Sequence, residues 1–361
     1  MPIFDQGYQH WSGPLSPHAW RWLTITRHGV RLGMQNRLLR IMIMLAWLPA
    51  VALGLMLCLW GLVERKSELI TSILEYLPFL TPAMLSDPIA YRKVVWTLSY
   101  DFFLLTELRF SMILVLIVGP GLISQDLRFN ALPLYFSRPV RRIDYFLGKL
   151  GVVVYFLGMV LIAPSLVAYL LGLVFSLDLS IIKDTFPLLL AALGYGVVMT
   201  LSISMLILAL SALTRNSRFV ALFWVGVWFV SYVASVVLIG INDDQRQHAR
   251  AEHERAASQH RQTPEEQSAW QEKERDRAEK DWRPMISYAT NLTRVGTQML
   301  GTDTSWERLA EDLPKEARSR FLQEFQGPRY PWYWSAIVLA VFFGLSVCIL
   351  NFRVKSLDRL R

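Results

Sequence analysis

Six apolar runs, each near the length of about 20 residues that an α-helix needs to cross a bilayer core, dominate this chain. They are Ile41–Leu62, Phe102–Ile123, Phe146–Val174, Pro187–Leu213, Phe219–Ile241 and Trp332–Phe352. In lipid every backbone N–H and C=O must find its partner within the segment or in a closed barrel. The runs lack the alternating pattern of barrel strands, so the expected fold is all-α and polytopic, with six transmembrane helices. Span three is longer than a bilayer requires and carries Pro164, which predicts a tilt, a kink or extension past the headgroups.

The basic residues orient the spans. Arg21, Arg27, Arg31, Arg37 and Arg40 precede span one; Arg128, Arg138, Arg141, Arg142 and Lys149 follow span two; Arg215 and Arg218 follow span four; Arg353, Lys355, Arg359 and Arg361 end the chain. These sixteen stand against five in the two short opposite connections, a positive-inside bias that puts both termini in the cytoplasm of a multi-pass cell-membrane protein, most simply a bacterial inner membrane. The net charge of +8 is thereby assigned to topology and to contacts with anionic membrane lipid rather than to nucleic acid, for which no role is expected. The first run has no small-residue cleavage site behind it, so it reads as a retained anchor, and the mature chain is expected to keep its N-terminus.

Four regions follow from this pattern. Residues 1–40 form a cytoplasmic N-terminus, where Trp20, Trp22, Leu23, Ile25, Val30 and Leu32 among arginines predict an interfacial helix. Residues 41–241 hold spans one to five, with a polar connector at 124–149 between spans two and three. Residues 242–331 form a long polar insertion, placed outside the cytoplasm by the parity of spans. Its first half, Asp243 to Arg283, pairs Asp276 with Lys280 and Glu279 with Arg283 at helical spacing, which reads as a charged helix or helical hairpin, with disorder the alternative. Its second half, Met285 to Gln326, regains apolar residues and is expected to fold back as short helices on the outer ends of the spans. Residues 332–361 hold span six and a basic tail.

Residues that carry chemistry are few. The lone Gly-Lys pair, Gly148 and Lys149, lacks the upstream glycine and the following Ser or Thr of a phosphate-binding loop, so the chain is not expected to hydrolyse ATP. No HExxH, paired-cysteine or GxSxG pattern occurs, Cys58 and Cys348 lie inside apolar runs, and all six histidines lie outside them. No enzyme activity, cofactor site or metal site is therefore expected. Buried charge is scarce in the spans, and Asp101, Glu107 and Arg109, at the outer end of span two, are the exceptions; Glu107 and Arg109 either pair, sit at the outer headgroup level, or touch a substrate. In span five, Trp224, Trp228, Ser231 and Ser235 recur at three- and four-residue intervals, a stripe that either packs between helices or lines a pathway for an amphipathic substrate. In span four, Gly196, Thr200 and Ser204 form a small-residue face suited to close helix packing.

The connector is the most patterned polar segment. Gly119, Pro120 and Gly121 loosen the end of span two, Gln125, Asp126 and Arg128 bring the chain into water, and Leu127, Phe129, Leu132, Leu134, Tyr135 and Phe136 leave apolar knobs for a partner or for headgroups. Ser137, Arg138 and Pro139 break the segment, and Arg141 and Arg142 lead back to the membrane. The stretch GPGLISQDLRFNALPLYFSRPVRRIDYFLGKL resembles the permeases of type-2 ABC transporters, membrane subunits that pair with a separate ATPase. The six-span layout agrees with that family over most of the chain, and the long insertion departs from it. The resemblance implies a dimer with a second permease copy or homologue, bound to two ATPase subunits that supply the ATP and magnesium. It also implies a coupling helix at roughly Ser124 to Phe136, with Arg138, Arg141 and Arg142 bracing the return, spans two and five lining a pathway, and an exporter-like activity. Residues 242–331 would then cap the pathway or dock a periplasmic or extracellular component. The alternative is a membrane scaffold or mechanical transmitter that uses a partner ATPase to drive an external assembly without moving a solute.

Overall fold

The fold is taken from a computed structural model that describes residues 20–65, 81–132, 135, 140–176, 180–259, 268–270, 272–273, 276–277, 280–314, 317–318, 321–322, 325, 327 and 330–355. Among these no strand occurs, and six helices are long and apolar enough to cross a membrane.

Helix α1, Arg21–Gln35, stops at Asn36, whose side chain accepts from the N–H of Leu38 at 3.0 Å and so caps α2, Arg37–Ala46. α2 leads through Trp47 into α3, Leu48–Glu64, and the two make the first span. Short α4, Pro82–Ser86, precedes α5, Pro88–Val118, which starts where Asp87 accepts from Ala90 N–H and Pro88 supplies a φ ready for the first turn. The second span therefore begins well before its apolar run at Phe102, and Asp101, Glu107 and Arg109 fall inside the helix rather than at its outer end.

Helix α6, Gly121–Arg128, completes the second span's inner end. α7, Arg142–Ser176, is the third span, continuous through Pro164 and about 50 Å long, so of the expected adjustments extension beyond the bilayer core is present. α8, Ser180–Leu213, is the fourth span. The fifth comprises α9, Ser217–Val225, a π-helical turn, Gly226–Val230, and α10, Ser231–Gln259. A 3₁₀ turn, Arg283–Ile286, is followed by α11, Tyr288–Leu300, α12, Thr302–Glu311, and the sixth span α13, Trp332–Lys355.

The fourth span is the hub. It packs against α5, α7, α11 and α13, and 67% of its most apolar window is buried, against 11% for the fifth span and 22% for the sixth. On its small-residue face a Cβ at Gly196 would make ordinary contact with Ile162 and Leu161 of α7, and Thr200 and Ser204 are buried. α1 lies on the start of α7, where Gly148 allows so close an approach that a Cβ there would sit 2.6 Å from Cβ of Ile25, and Thr26 donates to the Gly148 carbonyl at 3.0 Å.

Two charged clusters tie the opposite end. Arg92, 2% exposed, donates to both carboxylate oxygens of Glu64 at 2.8 Å and reaches Asp184 at 3.2 Å, so one guanidinium fastens the first, second and fourth spans. Arg294 binds Asp303 at 2.7 Å and the Tyr330 carbonyl at 3.1 Å, joining α11 to α12 and to the approach of the sixth span.

The insertion has two parts. α10 continues without a break from the fifth span into the charged sequence, and the returning chain pairs with it through Arg246 to the Arg277 carbonyl at 3.3 Å and Asn242 to Asp281 at 3.4 Å. The described residues thus pair two charged segments, Asn242 and Arg246 with Arg277 and Asp281. The second part departs from expectation: rather than resting on the ends of the spans, it descends between them. The Tyr288 hydroxyl meets Ser202 at 2.8 Å, its N–H donates to Ser231 at 3.4 Å, and its ring packs edge-on against Phe342. Ser202, Ser231 and Phe342 lie near the middles of the fourth, fifth and sixth spans. From that depth α11 climbs back out, with Gly296 pressed against the Tyr195 ring and Thr302 donating to Asp101 at 3.2 Å. The segment is a re-entrant hairpin. Ser287 caps α11 through Thr290 N–H, and Asn291 turns back onto the carbonyls of Met285 and Ser287, so the polar backbone at the turn is satisfied within the protein.

Candidate functional site

The connector is built on α6. Pro120 has no N–H, and the Ser211 hydroxyl of the fourth span accepts from the next orphan donors, Ile123 and Ser124, both at 3.0 Å, while donating to the Pro120 carbonyl at 3.1 Å. Asp126 is held from the third span by the Tyr145 hydroxyl at 2.7 Å and by Lys149 at 2.7 Å. The Lys149 ammonium also lies over the rings of Tyr135 and Tyr145. Burial, with the Asp126 carboxylate nearby, raises the Tyr135 phenol above its ordinary value. α6 ends through Asn130, a residue in left-handed backbone conformation.

These contacts sort the connector residues. Gln125 and Arg128 are exposed, Phe129 is 72% exposed with the Arg128 guanidinium over its ring, and Leu127 is half-buried. Asp126 and Tyr135 face the third span. Leu132, expected as a contact knob, is instead 2% exposed and belongs to the interior. Arg141 is exposed, Arg142 is half-buried, and Asp144 accepts from the Arg141 N–H at 3.0 Å at the start of α7. Leu134, Phe136 and Arg138 lie outside the described residues.

The stripe on the fifth span is turned inward. Trp224 is fully buried and donates to the Met112 carbonyl at 2.9 Å; Trp228 is half-buried; Ser231 bonds the Val227 carbonyl and accepts from Tyr288; Ser235 donates to the Arg283 carbonyl at 3.2 Å. The second span and the re-entrant turn fill the face on which these four sit.

Glu107 and Arg109 do not pair and point apart. Glu107 is fully buried with neither carboxylate oxygen hydrogen-bonded, while Arg109 is exposed on another face of α5, without a hydrogen bond or ion pair among the described residues. The Trp224 bond fixes Arg109's depth: Met112 stands level with Trp224, so Arg109 is about 15 Å along the bundle from Ser217. Sequence reading missed Arg92, Ser211 and the re-entrant turn. For Ser211 the only signal was a hydroxyl near the end of an apolar run.

At the end carrying α1 and the connector, a cleft of ≈ 810 Å³ opens between α1, the inner part of α5, the connector and the starts of α7 and α9. No family model matches the chain, and a comparison with curated proteins finds no relative.

Proposed function

We propose that the chain is the permease subunit of an ATP-driven transporter of the ABC type, exporter-like, working as a dimer and driven by two copies of a separate ATPase. The observation that carries this reading is the connector: a short helix pinned at both ends to three spans, with Gln125, Arg128 and Phe129 left outward. A push on those residues is delivered through Ser211 to the central fourth span and through Asp126 to the third. The basic flanks support a cytoplasmic placement of this end, where an ATPase would be. Spans two and five, whose outer strips stay uncovered in one chain, would face the second copy and line the pathway, and no covalent chemistry falls to this subunit.

The test is co-purification with ATPases encoded beside this chain, followed by ATPase measurement with wild type, Phe129→Asp and Arg128→Glu. Association with the wild type, weakened by both substitutions in a protein that remains folded, supports the reading. Absence of any ATPase partner, or variants that bind and couple normally, overturns it. The mechanical-transmitter alternative is favoured by one feature, the unbroken passage of the fifth span into the charged segment through α10. It is distinguished by an ATPase cycle that continues without solute movement but stops when residues 243–280 are cross-linked to the bundle.

A further inference from the structure

The cleft beside the connector has two chemically distinct parts. Its walls are apolar, from Ile25, Leu39, Leu116, Leu122 and Val152, and they lie at the ends of the spans that carry α1 and the connector. Its rim is cationic. Lys149 is neutralised by Asp126, but the exposed Arg218 guanidinium is without an ion-pair partner among the described residues. The volume falls in the range of about 300–1,000 Å³ typical of sites for small ligands. An apolar trough with an unbalanced cation at its mouth, opening at the membrane surface, fits an amphipath whose head is anionic.

The cleft also has a continuation. Leu116 shares one face of α5 with Ile113, Arg109 and Thr106, at helical spacing, and Ile113 and Arg109 are exposed. Two turns beyond the cleft, about 10 Å along that face, stands the mid-span guanidinium of Arg109. A bare cation at such a depth is costly facing lipid and is found facing a partner, a polar cavity or an anion.

We propose that this cleft binds an anionic lipid-like amphipath from the cytoplasmic leaflet, head at Arg218 and chain along Leu116 and Val152, and that Arg109 is the next station for the anionic head. The binding site stands on the geometry; its meaning as substrate selection rests on the permease reading above.

The experiment uses the full chain in nanodiscs with a photoreactive phosphatidic acid, and a photoreactive phosphatidylcholine of the same acyl length as control. Mapped cross-links to cleft residues with the anionic probe are expected, with about fivefold weaker retention in Arg218→Gln and no change for the zwitterionic control. Leu116→Trp, which fills the trough, should abolish cleft labelling while leaving thermal stability in detergent unchanged. Arg109→Gln should leave cleft labelling intact but remove any cross-links reaching Ile113. Equal labelling by both probes, full displacement by inorganic phosphate, or cross-links replaced by contacts from a second copy would each overturn the proposal. ATPase stimulation by the same lipid is read separately in the complex with the partner. Cleft binding without stimulation sinks the transport role and leaves the site standing; stimulation that persists without cleft binding sinks the site and leaves the permease.

Discussion

The Tyr145 hydroxyl donates to the Asp126 carboxylate at 2.7 Å, tying the connector helix to the first turns of the third span. Tyr145→Phe removes one hydrogen bond to a charged acceptor and nothing of the ring packing, at a cost of about 1.5–3 kcal/mol. Lys149 still holds Asp126, so the chain is expected to fold and, on the permease reading proposed above, to bind an ATPase partner. Loss should fall on the stimulation of ATP turnover by the membrane subunit, measured against an unchanged binding constant.

Ser211→Ala tests the other anchor. It leaves the N–H groups of Ile123 and Ser124 without an acceptor at a buried site, which costs about 1–3 kcal/mol. Hydrogen exchange should rise at the start of α6 and not in the fourth span's own helix. Exchange that rises throughout the fourth span would show that Ser211 serves the whole bundle.

Arg92→Met strands the nearly buried Glu64 carboxylate and removes the link to Asp184. Breaking such a pair from one side costs about 3–5 kcal/mol. The double substitution Arg92→Met with Glu64→Leu is expected to recover most of the lost thermal stability in detergent, because no uncompensated buried charge remains and Asp184, 47% exposed, keeps its water.

Gly296→Ala should disturb the re-entrant hairpin, since a Cβ there would overlap the Tyr195 ring. Overpacking of this kind costs about 1–3 kcal/mol. The paired change Tyr195→Leu should relieve it, and a thermal-shift cycle over the two sites measures the coupling.

Glu107→Leu is expected to raise stability, since the carboxylate is buried with no hydrogen bond to lose and its removal ends a desolvation cost of about 1–3 kcal/mol. A fall in thermal midpoint would reveal a partner for Glu107 beyond the contacts of the described residues.

Periodicity and charge carried the reading of the spans because lipid imposes one rule on every residue of a spanning helix. They located all six, and they missed the early start of the second because Tyr91 to Asp101 mixes polar and apolar residues whose burial depends on α12 and the third span. The same limit explains the connector: spacing marked Leu132 and Phe129 alike as apolar knobs, and only packing separates the buried one from the exposed one. The stripe of Trp224, Trp228, Ser231 and Ser235 was legible as a stripe, but what fills it comes from residues 283–288, a separation no local pattern encodes.

The depth of Tyr288 sets an order for biosynthesis. The walls of the slot that Tyr288 occupies against Ser202 and Ser231 precede Arg283 to Asn291 in the chain, so the slot is filled by sequence translated after its walls. The nascent bundle is therefore a client awaiting its own downstream sequence.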